Sequence, residues 1–502
     1  MRPPHLRKMG LILLARKIFG GALWVVGSGL VARVVGLFGT LAITRFLSPE
    51  QMGEVGVAVI LTTTATELSN LGFGQYVIAN VKREARAFHV TMFNLVTAAV
   101  ALVITWALAG TLGVAFDAPA MVRFIPGMAV AMFFHRLSLV PESIVLRDLR
   151  FRVFSVGAGT TDLMFTVTSL GLATLGFGGG AIVIGNLVQH GARLLYFAVA
   201  AGWRAWLQPE KLRVSEAREI LRFGLPLAVS NISGFAAVKW DNMIMSRAFG
   251  PGVMGTYGLA YNLATIPADH VGTATSDVLM PSFASMPDGQ VQRAFVRSIK
   301  LLALVVFPLA TGLGAISGTL VVALFRAEWQ GVAPFLLILG MLSLASPIGD
   351  AIHVYLCARR RTRAAMVLSL FGTALLLSLV ALGAQVSPEW AAVGAGLGGW
   401  CHAAAGLALA QRLDAVPARE ALRQLVPPAL ASAVMVGVVF GVRATLTALG
   451  GLPSVALLGV EVLAGALAYV IAVFALAPGA SRELLGHLRS ALRRRAKGAE
   501  QG

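Results

Sequence analysis

Four basic side chains interrupt apolar runs of the sequence that are long enough to cross a membrane. They are Arg33, Arg136, Arg193 and Lys239. A charge in hydrocarbon costs at least ~2.5 kcal/mol on insertion scales, so each should face a cavity or a charged partner. Arginine offers a bidentate fork to phosphate oxygens, whereas lysine offers a point charge. These residue types are therefore candidates for binding an anionic, phosphorylated group.

Carboxylates also fall inside the apolar runs, and they offer a second kind of chemistry. They include Glu67, Asp162, Asp241, Asp269, Asp277, Asp350 and Glu461. A carboxyl group shielded from water can exchange protons near neutral pH and so couple a movement to an ion. Asp269 beside His270, and Asp350 one helical turn before His353, are candidates for that role. The alternative is hydrogen bonding between helices, or a position near the water interface.

Ion pairing is the alternative for the basic residues, because a carboxylate partner would also explain a cation within an apolar run. The candidate partners are Glu67 or Asp241 for Arg33 and Lys239, and Glu67 or Asp162 for Arg136 and Arg193. Residue types alone leave the choice between anion binding and pairing open.

The elements that must position these residues are transmembrane helices. Runs of roughly 20 apolar residues recur along the chain, and each can span ~30 Å of hydrocarbon as a helix. A helix also satisfies its backbone hydrogen bonds in lipid. The pattern predicts fourteen spans, near 22–44, 54–79, 91–115, 124–146, 153–176, 181–203, 222–246, 253–279, 300–324, 332–356, 364–386, 391–411, 425–447 and 453–477.

The basic residues between the spans predict the orientation of the chain. With the N-terminus in the cytoplasm, most of the 41 lysines and arginines fall in the tail and in alternate loops. The opposite loops hold Arg45, Arg123, Arg247, Arg326 and Arg443. The positive-inside rule therefore predicts an N-in, C-in topology.

A short stretch of sequence, which we call the repeated phrase, occurs twice in the chain. The stretch "RFLSPEQMGEVGVA" begins at Arg45 and "RAFGPGVMGTYGLA" begins at Arg247, so Arg, Pro, Met and Gly recur at one offset of 202 residues. The copies lie between spans one and two and between spans seven and eight, on the same outer face. Two chance Pro-Gly turns are the alternative. An even number of spans between the copies predicts two parallel repeats, related by an axis along the membrane normal.

The same offset relates two of the basic residues. It places Lys239 at the equivalent of position 37, and position 37 lies one helical turn from Arg33. Residues one turn apart share a face of a helix. We therefore expect spans one and seven to carry a cation on corresponding faces.

These patterns predict an all-α polytopic membrane protein with two pseudo-symmetric six-helix lobes and a C-terminal helix pair. The predicted boundaries are a basic interfacial segment over 1–21, an N-lobe over 22–203, a cytoplasmic linker over 204–221, a C-lobe over 222–411, a loop with helices thirteen and fourteen over 412–477, and a basic cytoplasmic tail over 478–502. The composition agrees, since 57% of the 502 residues are hydrophobic and only 13% are charged. A soluble protein of this length needs more polar surface.

Composition also argues against several classes of function. The net charge of +18 comes from short clusters between apolar runs, so nucleic-acid binding is not predicted. Those clusters, such as "RRRTR" (359–363) and the basic tail, instead predict contact with anionic membrane lipids. The two cysteines, Cys357 and Cys401, lie in apolar segments and indicate neither a disulfide framework nor a metal site. No cofactor is predicted.

Several stretches resemble the polysaccharide-transporter branch of the multidrug/oligosaccharidyl-lipid/polysaccharide flippase superfamily, which contains the Wzx-type flippases. Besides the phrase at Arg45, the matching stretches are "ELSNLGFGQYVI" (67–78), "LRDLRFR" (146–152), "DNMIMSRAFGPGVMGTYGLAY" (241–261), "LMPSFASM" (279–286) and "LFRAEWQGVAPFLLILG" (324–340). The grouping of spans into six, six and two is similar as well. The resemblance implies two lobes that enclose a central cavity and open it to each side of the membrane in turn.

The resemblance also implies the cargo, which is an oligosaccharide on undecaprenyl pyrophosphate or a similar carrier. Movement from the cytoplasmic to the outer leaflet of the bacterial inner membrane would serve the assembly of lipopolysaccharide, O-antigen or exopolysaccharide. If spans one and seven line the cavity, Arg33 and Lys239 project toward the pyrophosphate. A polysaccharide polymerase and chain-length proteins are further partners that the resemblance suggests.

Three rival functions differ in what they require. A multidrug exporter of the same superfamily tends toward twelve spans and an acidic cavity, which the four intramembrane cations disfavour. A peptidoglycan-precursor (lipid II) flippase is a closer relative and stays an alternative. A polymerase, ligase or glycosyltransferase needs an outer domain or a long loop for its catalytic groups, and the sequence predicts neither. We therefore expect a transporter rather than an enzyme.

Overall fold

The computed structural model describes residues 35–36, 38–79, 85–211 and 214–476. Arg33, the predicted interfacial segment 1–21 and the tail 478–502 lie outside this part of the chain. Every regular element within the described ranges is helical, which confirms the all-α fold class. The chain separates into two compact units, Met1–Gly255 and Thr256–Gly502.

Within the described residues, the first unit contains helical residues at 38–43. Eight further helices and the beginning of a ninth follow. They are α1 (Pro49–Leu68), α2 (Phe73–Ala79), α3 (Ala85–Ala107), α4 (Ala109–Ala115), α5 (Ile125–Arg147), α6 (Phe151–Thr174), α7 (Gly179–Ala201), α8 (Arg204–Leu207) and α9 (Val214–Ser285). Helix α9 continues into the second unit and is interrupted at Gly250, where φ is 81° and ψ is 172°. Glycine adopts this positive φ without the steric penalty of a side chain.

In the described part of the second unit, up to residue 476, eight helices follow. They are α10 (Asp288–Ala315), α11 (Ser317–Leu324), α12 (Val332–Leu342), α13 (Ser346–Ala358), α14 (Thr362–Gly383), α15 (Pro388–Asp414), α16 (Ala418–Ala448) and α17 (Ser454–Leu476). Short 3₁₀ turns join some of them in each unit.

The sequence itself marks where α1 begins. Ser48 is the N-cap, and its hydroxyl accepts a hydrogen bond from the backbone N–H of Gln51, whose side-chain oxygen accepts from the backbone N–H of Ser48. Pro49 follows at the first helical position, where its missing N–H has no cost. This capping box satisfies two backbone donors that the first turn would otherwise leave unpaired.

Nine helical stretches of the described chain are long and apolar enough to cross a membrane, and one of them, Ala327–Ala358, joins α12 and α13. They are Ala87–Ala107, Ile125–Arg147, Gly179–Ala201, Gly289–Ala315, Ala327–Ala358, Thr362–Gly383, Pro388–Asp414, Ala418–Ala448 and Ser454–Leu476. The bent pair Glu216–Leu225 and Ala228–Thr265 makes ten if it counts as one span. Helices α1 and α6 occupy the second and fifth predicted spans but are more polar; α1 carries three glutamates, and α6 carries Arg152 and Asp162.

The first copy of the repeated phrase packs against residues 251–255 of the second copy, and this contact lies within the first unit. A Cβ atom on Gly53 would overlap the backbone carbonyl of Pro251. A Cβ atom on Gly255 would lie 2.9 Å from the carbonyl carbon of Pro49 and would also overlap its oxygen. Each glycine therefore lies against the proline of the other copy, and only glycine fits at either position.

A second repeated feature lies in the basic loops after α5 and α13. Leu149 and Arg360 both adopt a left-handed conformation, with φ of 56° and 58°. The next residue in each loop is an arginine, Arg150 or Arg361. Arg150 donates to the carbonyl oxygen of Ala200, and Arg361 donates to that of Leu413 at 3.3 Å, so each arginine binds the penultimate residue of a helix. Both arginines satisfy a carbonyl that the helix leaves unpaired at its C-terminus.

Part of the predicted cytoplasmic linker packs on the first unit. Trp206 is 2% exposed, and its carbonyl oxygen accepts from the Thr91 hydroxyl at 3.5 Å. The Nε2 atom of His89 lies 3.0 Å from the carbonyl oxygen of Lys211. These contacts tie 204–211 to the start of α3.

Candidate substrate-binding site

Arg193 and Glu142 join α7 to α5 through an ion pair. The Nε and Nη2 atoms of Arg193 donate to the two oxygens of Glu142 at 2.9 and 2.6 Å. Their side chains are only 15% and 13% exposed. The observed partner of Arg193 is thus neither Glu67 nor Asp162, the two carboxylates that the sequence had suggested. A bidentate pair of this kind is strong and fixes the geometry of both side chains.

A polar layer continues along α7 beside this ion pair. The Nε2 atom of Gln189 donates to Oδ1 of Asp162 on α6 at 2.8 Å. The ring of His190 packs on that of His135 on α5, with centroids 4.9 Å apart. The Nδ1 atom of each histidine is buried and makes no hydrogen bond within the described residues. The layer therefore links α5, α6 and α7 through polar side chains, several of which are titratable.

Arg136 lies in a different environment on α5. Its side chain is 2% exposed, and Nη2 donates to the carbonyl oxygen of Ser69 at 3.1 Å. Its guanidinium carbon lies 5.6 Å from the centroid of the Phe73 ring. Asn94 on α3 donates to the backbone carbonyl of Arg136 at 2.6 Å. Arg136 thus contacts the break between α1 and α2 from α5.

Several polar atoms around Arg136 are buried and make no hydrogen bond within the described residues. They are Nε of Arg136 and the Oδ1 atoms of Asn70 and Asn94. Glu67 attracts Arg136 electrostatically, but the direct ion pairs within this part of the chain do not include Arg136. A buried charge without a bound counter-ion is unfavourable, and such groups concentrate at functional sites. Arg136 is therefore a stronger candidate for anion binding than Arg193.

Lys239 lies on the part of α9 that packs against α1. The next residue, Trp240, donates from Nε1 to the hydroxyl oxygen of Thr64 at 3.2 Å. Asp241 is fully buried, and one of its oxygens accepts from the backbone and side-chain amides of Asn242 at 2.8 and 2.9 Å. Lys239 itself is only half-buried. This cation is thus accessible in the present conformation, whereas Arg136 is covered.

Two carboxylates, Asp269 and Asp350, were suggested for ion coupling. Asp350 is half-buried on α13, and the side chain of Asp269 lies outside the described part of the structure, as does that of Asp277. On α13, Nε2 of His353 lies 3.8 Å from the sulfur of Cys357.

Glu461 on α17 takes part in a buried ion pair in the second unit. It is fully buried and accepts from Nε and Nη2 of Arg443 at 2.7 and 3.1 Å and from the Thr319 hydroxyl at 2.9 Å. Arg443 also donates to the carbonyl oxygen of Ala315 at 2.7 Å. Arg443, predicted in a loop, lies within α16 instead, where its side chain neutralises Glu461. This pair fastens α16 and α17 to α10 and α11.

Three residues of the polar layer were not identified as candidate site residues from the sequence. Glu142, His135 and His190 all fall inside predicted spans, so their positions carried the same signal as Arg193. Glu142 stands six residues after Arg136, and His190 stands three residues before Arg193. A systematic pairing of every titratable residue within the spans would have found them.

The fold is similar to that of solved transporters. The structure titled lipid II flippase MurJ, inward closed conformation, has a TM-score of 0.74 and 12% identity, and the match covers 92% of this chain and all of that one. An inward-facing multidrug resistance MATE family transporter of the MOP superfamily has a TM-score of 0.60 and 15% identity, with 76% of this chain and 94% of that one covered. At such low identity these likenesses show the fold alone.

Curated relatives are similar in sequence over most of their length. The lipopolysaccharide biosynthesis protein WzxC of Escherichia coli (strain K12) is 23% identical over 393 residues, which cover 77% of this chain and 78% of that protein. The teichuronic acid biosynthesis protein TuaB of Bacillus subtilis (strain 168) is 23% identical over 390 residues, which cover 75% of this chain and 79% of that protein.

The family assignment comes from a match that covers more than half of the chain. The family model described as polysaccharide biosynthesis protein matches residues 42–334. The matched region includes both copies of the repeated phrase, the polar layer and Arg136. The chain therefore belongs to the polysaccharide biosynthesis protein family.

Proposed function

We propose that this chain is a flippase of the bacterial inner membrane. Its cargo is an oligosaccharide linked to a polyprenyl pyrophosphate, which it moves from the cytoplasmic to the outer leaflet for the assembly of a surface polysaccharide. Family membership and the relatives named for lipopolysaccharide and teichuronic acid biosynthesis support this function. The single observation that carries the phosphate chemistry is Arg136, a buried guanidinium that no carboxylate of the described chain binds directly.

The proposed topology has fourteen spans with both termini in the cytoplasm. Nine or ten of the spans correspond to apolar helices of the described chain. Helices α1 and α6 supply the second and fifth spans, the part of α9 after Gly250 supplies the eighth, and the first span ends in helical residues at 38–43. Two parallel repeats of six spans, followed by α16 and α17, account for the phrase that recurs after 202 residues. The paired loops at Leu149 and Arg360 support the same duplication.

In the proposed site, the four cations differ in how exposed they are and in which groups bind them. Lys239, with Arg33, forms the part that the pyrophosphate reaches first, because Lys239 is half-buried rather than covered. Arg136 joins when α5 moves away from Ser69. Arg193 is held by Glu142 and contributes through that pair. We assign the remaining carboxylates, Glu67, Asp162, Asp241, Asp269 and Asp350, to pairing or ion coupling rather than to the cargo.

A deletion strain tests the function directly. Loss of the chain should cause polyprenyl-linked oligosaccharide to accumulate on the cytoplasmic side of the membrane, together with loss of a surface polysaccharide. Restoration of both by the full chain is the positive control. Normal surface polysaccharide with new drug sensitivity would point to an exporter, and complementation of a strain depleted of its lipid II flippase would point to the peptidoglycan precursor.

Replacement of Lys239 by alanine tests the accessible part of the site. We expect Lys239→Ala to lower surface polysaccharide about tenfold, since a single charge-assisted bond to phosphate contributes about 1.5–3 kcal/mol. Arg33→Ala should act in the same direction. The matched control is Arg222→Ala, which removes an exposed cation from the same helix as Lys239 and should have little effect. Full polysaccharide export by the Arg33→Ala, Lys239→Ala double variant at normal protein levels would exclude this role.

A further inference from the structure

The contact between the two copies of the repeated phrase is made by backbone rather than by side chains. Gly53 lies against Pro251, and Gly255 lies against Pro49, so the contact is reciprocal. Within each copy the proline and the glycine are four residues apart and share one face of their helix. Closest approach of two helices at small residues is a known mode of packing in membranes. Here the same short phrase supplies both surfaces.

The neighbouring side chains complete a thin seal around this contact. Met254 is 4% exposed, and its methyl group lies against Gly56, one turn beyond Gly53. Beside the contact, Glu54 forms an ion pair with Arg123 at 2.8 Å, in which Arg123 is 61% exposed. An exposed ion pair of this kind contributes little to stability. The contact therefore depends on the close fit of the two backbones.

The position of the contact determines how it affects the exit of the cargo toward the outer leaflet. Both copies lie where a helix begins, directly after Ser48 in α1 and directly after the kink at Gly250 in α9. In the proposed topology both sites lie at the outer face of the membrane. A cargo that leaves between the two repeats toward the outer leaflet has to separate these two helix starts.

We propose that the reciprocal contact of Gly53 and Gly255 with Pro251 and Pro49 is the outer gate of the transporter, and that it is closed in this structure. The identification of the gate rests on the proposed function. Because a backbone contact has no interlocking side chains, the two helices can part and meet again without rotamer changes. The two glycines set how closely the gate shuts, and a duplicated sequence supplies both halves of it.

Alanine at either glycine should hold the gate partly open. We expect Gly53→Ala and Gly255→Ala each to lower export of surface polysaccharide about tenfold, because a methyl group at the contact overlaps a backbone carbonyl that cannot rotate away. The matched control is Gly252→Ala, which has no atom within 4 Å of the added carbon. All three replacements raise helix propensity alike, so only the first two should change export.

Thiol labelling measures whether the gate is open, and it does so without the cargo. The probe is Met254→Cys in a chain with Cys357→Ser and Cys401→Ser, labelled in spheroplasts by a membrane-impermeant maleimide added from outside. We expect Gly53→Ala to raise the labelling rate about tenfold over the Gly252→Ala control. The rate is normalised to the amount of protein, so a lower level of the variant in the membrane does not obscure it.

The labelling rate and the export of surface polysaccharide together test whether the contact is a gate. Faster labelling with reduced export supports the gate. Unchanged labelling, with or without a loss of export, would make the contact a static packing feature and overturn the proposal. Faster labelling with normal export would show that closure is dispensable, which also overturns it. If labelling responds while the unaltered chain moves no oligosaccharide, the gate stands and the proposed cargo fails.

Discussion

Replacement of Arg136 by methionine is expected to lower oligosaccharide translocation by about 10–100-fold, the equivalent of one charge-assisted bond to phosphate. The protein should nevertheless be as stable as the unaltered chain or more stable. Arg136 is 2% exposed, and its charge is stabilised by the carbonyl oxygen of Ser69 and the ring of Phe73 rather than by a bound carboxylate. An apolar side chain of similar length removes the unfavourable burial of that charge. Translocation of labelled lipid-linked oligosaccharide, measured beside thermal unfolding in detergent, separates the two effects.

Two further variants show whether the fork of Arg136 matters. Arg136→Lys keeps the charge but not the bidentate geometry, so it should restore translocation only in part. Arg123→Met removes an exposed arginine of the same unit, one that pairs with Glu54, and should leave translocation unchanged. Normal translocation by Arg136→Met would remove Arg136 from the site. A parallel loss of stability and translocation would make its role structural.

Replacement of Arg443 by methionine should destabilise the protein by about 3–5 kcal/mol, because it leaves the fully buried Glu461 without its counter-ion. The bidentate contact at 2.7 and 3.1 Å compensates that charge in the unaltered chain. The measurement is equilibrium unfolding in mixed micelles. The expected result is a large loss confined to the single variant.

A double variant distinguishes an unpaired charge from lost packing. Arg443→Met combined with Glu461→Met removes both charges and should recover most of the lost stability, because well-packed apolar residues replace a buried pair at little cost. Arg326→Met is the control, since it breaks an ion pair with Glu328 in which both side chains are about half exposed. Its effect should stay within about 1 kcal/mol. A double variant as unstable as Arg443→Met would contradict the assignment of this pair.

Local signals in the sequence predicted the helices well where those signals were strong. The apolar runs predicted the long helices of the second unit. Helix α1 begins at Pro49, five residues before the predicted span at 54, because Ser48 and Gln51 cap its first turn. The polar character of α1 and α6 did not prevent them from being helical. Their exact role as spans depends on neighbours that cover their carboxylates, and hydropathy alone does not encode those neighbours.

The partners of the charged residues were harder to predict than their positions. Arg193 was placed inside a span, but its partner is Glu142 on α5 rather than Asp162, which accepts from Gln189 instead. The pairing depends on the rotation of α7 against α5 and α6, and no spacing within one helix determines that rotation. Arg443 and Glu461 pair between two helices for the same reason.

The contact between the two copies of the repeated phrase was not predicted from the sequence. The offset of 202 residues predicted a duplication. It gave no sign that Gly53 and Gly255 would lie against the prolines of the opposite copies. Contacts between residues so distant in the chain follow from the packing of whole helices, whereas a turn or a cap follows from its own few residues.

Reconstitution of the purified chain tests the account most directly. Vesicles containing a polyprenyl-pyrophosphate-linked oligosaccharide are treated from outside with a glycosidase, which reaches only the outer leaflet. With the chain present, the account predicts that the protected inner-leaflet pool becomes accessible over time, and that this happens much more slowly with Lys239→Ala. A protected pool of the same size and lifetime with and without the chain would contradict it.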